Sequence, residues 1–459
     1  MALPTILARK RGDIVGASAW PRRFFMPDFY QADFLTRRQI DELQLSAFRG
    51  AIERAKRAPS YAQTLADVSP GDIKSLDDVR KVPFTTKDDL RKGMPYGFLA
   101  VPKSDVVRMH YSSGTTGVAT AIYHTRQDVQ WWSECVARGL VGVGVTALDV
   151  FQNMMGYGLF TGGLGLHYAA ELVGCMTIPA SSGNTQRQVQ LMQQFETTAV
   201  HILPSYAMRV VHYCQQNGID PKTGLGIKYA FLGAEPHTER MRQRIEHELN
   251  CRVYNCYGLS EMCGPGVALE CPEQAGLHVR EDHYLAEIVD PQTLQPVEPG
   301  QQGELVLTTL NRQANPLLRY RTRDITALVD ESCPCGREHR RITRIVGRTD
   351  DMFIVKGCNI YPIQVERVLM DVEEVGANYL IALGTSDDLD EMTISVELRE
   401  DVFFDHVRML DAIRQRIVEE VRSETLVTPK VELLQPHSLP TTEGKAVRVV
   451  DNRKEAEEE

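Results

Sequence analysis

Apolar residues recur at helical spacing from Thr36 to Arg57 and again from Val129 to Val143, which predicts two amphipathic helices, with Trp131 and Trp132 of the second assigned to core. Thr85-Thr86-Lys87-Asp88-Asp89-Leu90 has the form of a helix cap followed by its first turn. Between Gly174 and Glu235 the pattern changes. Short apolar runs such as Ala199 to Leu203 and Tyr229 to Leu232 alternate with helical stretches such as Gln188 to Phe195. Such alternation predicts βα units around a largely parallel sheet. Gly303 to Leu310 reads as a strand, while Pro362 to Met370, Tyr379 to Leu383, Met392 to Leu398 and Val407 to Arg422 predict a smaller α+β unit. Glu455 to Glu459 is an acidic tail.

A chain of 459 residues exceeds what one hydrophobic core usually organises, so two domains are expected. A net charge of −10 argues against a general nucleic-acid binder, which needs a phosphate-neutralising surface. It does not exclude a nucleotide, whose phosphates can be met by local dipoles and a divalent cation. No run approaches the length of a membrane span, and Met1 to Gly16 lacks the apolar core of a secretory signal. Without such a signal the ten cysteines read as reduced thiols of a cytoplasmic protein.

Chemistry concentrates in a few stretches. Tyr111-Ser112-Ser113-Gly114-Thr115-Thr116-Gly117 follows a strand-like segment and combines hydroxyl donors with backbone freedom, a composition suited to wrapping phosphate. No Gly-Lys-Ser/Thr closes it, and composition alone leaves a plain surface loop open. Around Tyr157 and Phe160, glycines and aromatics interleave, which suits either a flat apolar pocket wall or core packing. Gly233-Ala234-Glu235 and Tyr257-Gly258-Leu259-Ser260-Glu261 each end an apolar run, where ligands gather in parallel sheets. Glu261 is a hard oxygen donor suited to Mg2+. Cys333-Pro334-Cys335, together with Cys271 and His278, offers a Cys3His set suited to structural Zn2+, with Cys251, Cys256, Cys263 and His283 as substitutes.

These motifs, in this order, resemble the adenylate-forming, AMP-binding enzymes, and Tyr157 to Gly165 narrows the resemblance to the phenylacetate-CoA ligase family. It covers nearly the whole chain from about residue 20 to 450. One departure is that Val118-Ala119-Thr120 follows the glycine loop where many relatives carry a Lys. The resemblance implies an α/β fold, with a large N-terminal domain of mixed or parallel sheets flanked by helices (1–349) and a small α+β C-terminal lid (350–459). It further implies an AMP-forming ligase that joins an aryl carboxylic acid such as phenylacetate to coenzyme A, using ATP and Mg2+. The alternative within the superfamily is an adenylyltransferase that stops at the adenylate or modifies a cofactor. Residue by residue, it assigns Ser112, Ser113, Gly114, Thr115, Thr116, Gly233, Ala234, Glu235, Tyr257, Gly258, Asp324 and Arg348 to the nucleotide. Asp324 would accept from the ribose hydroxyls. Tyr157, Phe160, Gly233 and Tyr257 would border the acid, Glu261 would hold Mg2+, Asp350 would be the hinge, and Lys445 would reach the α-phosphate. No nucleic-acid or membrane partner is expected. Relatives often form dimers, so the resemblance admits a homodimer without fixing the oligomeric state.

Overall fold

The computed structural model describes residues 28–112, 120–159, 161–356, 358–386, 389–400, 402, 407–440 and 447–453. Thr36 caps the first long helix, Arg37–Ala55, through a capping box in which its hydroxyl accepts from the Gln39 N–H and the Gln39 side chain accepts from the Thr36 N–H. Ile40, Phe48 and Ile52 lie on its buried stripe. The second predicted helix spans Arg126–Gly142 and starts at Arg126 rather than Val129, because Thr125 and Asp128 form another capping box. Trp132 is buried in it, as its spacing indicates.

Strands β1 (Val106–Tyr111) and β2 (Ala121–Thr125) form an antiparallel ribbon. Strands β3 (Val150–Asn153), β4 (Met176–Ile178), β5 (Ala199–Ile202), β6 (Tyr229–Leu232) and β7 (Arg252–Leu259) are parallel neighbours in the order β4-β3-β5-β6-β7. Every residue of β5 is buried, as expected for a strand covered on both faces. The expectation of a parallel sheet therefore holds up to β7. From there β8 (Gly264–Glu270) and β9 (Leu277–Val279) continue the sheet antiparallel. A second, antiparallel sheet begins with β10 (Tyr284–Val289), β11 (Gly303–Thr309) and β12 (Tyr320–Thr326). Short strands β13 (Leu328–Val329) and β14 (Arg341–Ile342) complete the first sheet at nine strands, and β15 (Gly347–Arg348) completes the second at four.

Beyond Arg348 the elements form a smaller unit. A hairpin of β16 (Phe353–Val355) and β17 (Cys358–Ile360) leads into the helix Pro362–Asp371, and then β18 (Val375–Ser386) pairs with β19 (Leu389–Leu398). The helix Val407–Thr425 follows, and β20 (Lys430–Leu434) and β21 (Val449–Asp451) flank the pair in parallel. Its helix Pro362–Asp371 packs on the helix Glu239–Leu249 of the large unit. There the buried Glu366 accepts from the Thr238 N–H at 3.3 Å and the Tyr379 hydroxyl at 2.9 Å. Among the described residues, no helix is long and apolar enough to cross a membrane.

Candidate active site

The carboxyl ends of the parallel strands share one edge of the first sheet. After β6, Gly233 packs so closely that a Cβ there would lie 2.8 Å from the Cys256 carbonyl oxygen, and Ala234 is exposed with φ +66°. Glu235 is anchored by Ser205, whose hydroxyl donates to it at 3.0 Å. At the end of β7, a Cβ on Gly258 would fall 1.9 Å from the Gly264 carbonyl oxygen, so only glycine fits. Beside it the buried Tyr257 donates its hydroxyl to Asp324 at 2.5 Å and thereby ties the two sheets together. Burial raises the Asp324 carboxyl to about 6, against the Arg348 charge and the Tyr257 hydrogen bond. Arg348 donates to Asp324 at 3.3 Å and forks onto Asp350 at 2.8 and 3.0 Å. Asp324, Arg348 and Asp350 thus form one chain of contacts.

Ser112 and Thr120, the described residues on either side of the glycine loop, are bonded to each other. Their hydroxyls lie 2.9 Å apart, and the Ser112 N–H donates to the Thr120 carbonyl at 2.9 Å. The Leu159 carbonyl accepts from the Tyr111 N–H at 3.0 Å, which brings the aromatic-glycine segment alongside the loop's first strand. Tyr157 is held by Asn153 at 2.8 Å and lies 3.1 Å from the His167 ring. Desolvation pushes its phenol up to about 12. Ser113, Gly114, Thr115, Thr116, Phe160 and Lys445 lie outside the described residues.

Glu261 is buried, and its Oε1 has no hydrogen-bond partner. A buried carboxylate oxygen without a hydrogen bond is a donor of the type that suits a hard cation such as Mg2+. Sequence reasoning missed its neighbours. Lys87 places Nζ 3.6 Å from Oε1, and Arg312 donates to the Glu261 carbonyl while its Nε is buried without a partner. Lys87 left one trace in the sequence: a cation at the first position of the helix Lys87–Lys92, where the helix dipole favours an acid. His124 was also missed. It is fully buried and stacked on Trp132 with centroids 6.1 Å apart, and burial and then the Arg312 charge hold its imidazole well below its usual pKa. No periodicity marks Arg312 or His124.

On the far side of β8 and β9, Cys271, His278, Cys333 and Cys335 converge, with donor atoms all within 4.8 Å of one another. The Cys271 and Cys333 sulfurs are 3.6 Å apart, far beyond a disulfide, and Cys335 lies 3.4 Å from His278 Nε2. Tetrahedral Zn–S and Zn–N bonds set such pairs about 3.8 and 3.6 Å apart. His278 donates from Nδ1 to the His339 carbonyl at 3.0 Å, which fixes the ring with Nε2 facing the sulfurs. A hydrogen bond from Cys271 holds the Cys335 thiol well below its usual range. The substitutes Cys251, Cys256, Cys263 and His283 are not members of this cluster.

The profile of the AMP-binding enzymes matches residues 48–311, and that of the AMP-binding enzyme C-terminal domain matches 357–453. The chain is 44% identical over 415 residues to a phenylacetate-coenzyme A ligase of Thermus thermophilus, covering 87% of this chain and 93% of that one. It is 39% identical to a phenylacetate-coenzyme A ligase of Aromatoleum evansii, covering 90% and 95%. Among solved structures it resembles 2-hydroxyisobutyryl-CoA ligase in the postadenylation state, with a TM-score of 0.88 at 27% identity over 96% of each chain. Against the same ligase in the thioesterification state the TM-score is 0.68 at 28% identity over 95% of each chain.

Proposed function

The chain belongs to the phenylacetate-coenzyme A ligase family of the AMP-binding enzymes, and from that membership we propose how its own residues divide the work. The reaction is AMP-forming acid–thiol ligation through an acyl-adenylate. First, a carboxylate oxygen of the aryl acid attacks the α-phosphorus of ATP, and pyrophosphate leaves. The CoA thiolate then attacks the acyl carbon, and AMP leaves. The acid is already ionised at neutral pH, so the first step needs positioning and charge stabilisation rather than a general base.

One observation carries the residue assignment. The buried Glu261 carboxylate keeps an oxygen that makes no hydrogen bond and lies 3.6 Å from the Lys87 ammonium, in the element that follows Tyr257, itself paired with Asp324. In our assignment Ser112 to Thr116 wrap the phosphates, Gly233 to Glu235 and Tyr257-Gly258 flank the adenine and the acid, and Asp324 accepts from the ribose with Arg348 behind it. Mg2+ held by Glu261 would neutralise phosphate charge. Tyr157 and Phe160 line the aryl side, and Lys445 offsets charge at the α-phosphate. Lys87 supplies a cation beside Glu261 in a chain whose glycine loop lacks a following Lys. We take 1–349 and 350–459 as the two domains, Asp350 as the hinge, the Cys3His set as a structural zinc site, and a cytoplasmic homodimer as the working form.

A panel of aryl and aliphatic carboxylates, assayed for CoA-dependent AMP release, tests the assignment. Phenylacetate or a close ring-substituted analogue is expected to lead. Pyrophosphate exchange without CoA-dependent AMP release would favour the adenylyltransferase alternative.

A further inference from the structure

A second group of metal-ligating side chains shares no member with the cysteine cluster or with the residues assigned above to nucleotide and acid. We propose that His212, Glu400 and His437 form an exchangeable site for a divalent transition metal such as Zn2+, shared between the two domains, with a bound ion clamping the lid in the arrangement seen here. His212 projects from the large-domain helix Pro204–Gln216, whereas Glu400 follows β19 and His437 follows β20 in the small domain. His212 Nδ1 and His437 Nε2 each lie 3.1 Å from the same Glu400 oxygen, Oε1. The two imidazoles face each other with centroids 4.0 Å apart and planes inclined by 34°.

The donor set selects the ion. Two imidazole nitrogens and one carboxylate suit Zn2+ and its first-row neighbours, whereas Mg2+ and Ca2+ prefer oxygen ligands throughout. Ligand bonds of about 2.0 to 2.2 Å place adjacent donor atoms roughly 3.0 to 3.5 Å apart, which the two 3.1 Å separations already meet. No large rearrangement is needed for an ion to replace the present hydrogen bonds. The side chains are 23%, 53% and 50% exposed, so water can complete the coordination and the ion can exchange. That contrasts with the closed Cys3His set. All three residues border a cleft of about 1230 Å3 between the helix Pro204–Gln216 and the small-domain sheet.

The clamp follows from connectivity and rests on the proposed lid rotation; the metal site itself does not. If Glu400 and His437 travel with the lid, leaving His212 behind, an ion bound by all three stabilises only the arrangement in which they meet. By linkage, whatever favours that arrangement tightens the ion. Bound metal is then expected to spare adenylation and to slow attack of CoA on the adenylate.

The test titrates the purified full chain with Zn2+ by calorimetry and with Co2+ by visible absorption. The expected result is one exchangeable equivalent whose Co2+ spectrum lacks sulfur-to-metal charge transfer. His212→Ala, Glu400→Gln and His437→Gln should each weaken it at least about tenfold, while Cys335→Ser leaves it unchanged. No exchangeable equivalent, a thiolate-like spectrum, or binding indifferent to His212→Ala would overturn the site. Pyrophosphate exchange and thioester formation from supplied adenylate, each with and without Zn2+, read the coupling. Selective slowing of the second reaction in wild type but not in His212→Ala supports the clamp. Binding that needs all three residues yet changes neither rate upholds the site and overturns the clamp, and only that last failure bears on the lid.

Discussion

Asp324 sets a burial penalty against a binding role. Its folded pKa of about 6 lies above the ordinary 3.8, so in the nucleotide-free protein the proton stabilises the fold. That contribution is fully present below 3.8 and lost as pH rises through about 6. The ribose contact proposed for Asp324 needs the opposite state, because the ionised carboxylate is the better acceptor for two hydroxyls. Nucleotide affinity should therefore fall as pH drops through about 6, and calorimetric titration with AMP across that range would show it. Asp324→Asn should flatten the dependence and weaken binding by about 1.5 to 3 kcal/mol, the range for hydrogen bonds to a charged group. A pH profile identical in wild type and variant would remove Asp324 from the ribose. At this scale the residues that the sequence could single out are those inside contiguous motifs, such as Tyr257 and Asp324, which the structure brings into contact. Lys87 and Arg312 meet Glu261 from separate elements, with the buried His124 close enough to feel the Arg312 charge, and no local spacing records where a side chain ends up across a sheet edge.

Elements were legible where local physics sets their ends. Capping boxes and apolar stripes mark the helices Arg37–Ala55 and Arg126–Gly142, whereas the switch from parallel to antiparallel pairing after β7 depends on non-local register that the apolar runs do not encode. Two devices that staple elements differ in the same way. The cysteine cluster was readable because close Cys-x-Cys spacing is rare without a purpose, and it links the end of β8 and strand β9 to the turn before β14. Cys335→Ser should lose near-stoichiometric zinc and lower the melting temperature while leaving adenylation at permissive temperature; elemental analysis and a thermal scan check both. The other device had no sequence signature. Asp33, near the N-terminal end of the described chain, is fully buried among Arg138, Arg280 and Arg337, with contacts of 2.6, 2.9 and 2.8 Å. Burial pushes its carboxyl up, but the three guanidinium groups outweigh this and hold it far below the carboxylate range. Its stabilisation is therefore present above the ordinary pKa and lost as pH falls below it. Asp33→Asn leaves buried guanidinium charge under-compensated and should destabilise the fold by about 3 to 5 kcal/mol, read by urea unfolding.

At the scale of the whole molecule, the question is how one crevice serves two chemistries. The same ligase matches this chain with a TM-score of 0.88 after adenylation and 0.68 in the thioesterification state, at nearly equal identity. The difference lies in arrangement rather than in sequence, and the overall arrangement of this chain is nearer to the first of these. Leaving that placement by turning about Asp350 would disturb the fork from Arg348, whose other bond reaches Asp324. The proposed hinge and the proposed ribose carboxylate are thereby joined through one guanidinium. Two substitutions separate the steps. Lys445→Ala removes the cation that we assign to the α-phosphate, where negative charge shifts only in the first step, so it should abolish pyrophosphate exchange yet largely spare thioester formation from supplied acyl-adenylate. Asp350→Pro should do the reverse, since a ring that fixes φ near −65° obstructs rotation without removing any group that touches ATP. Single-turnover measurement of each half-reaction decides the matter. Parallel loss of both steps in Asp350→Pro would move the hinge elsewhere in 347–352, and parallel loss in Lys445→Ala would mean that the lid lysine serves both chemistries from one position.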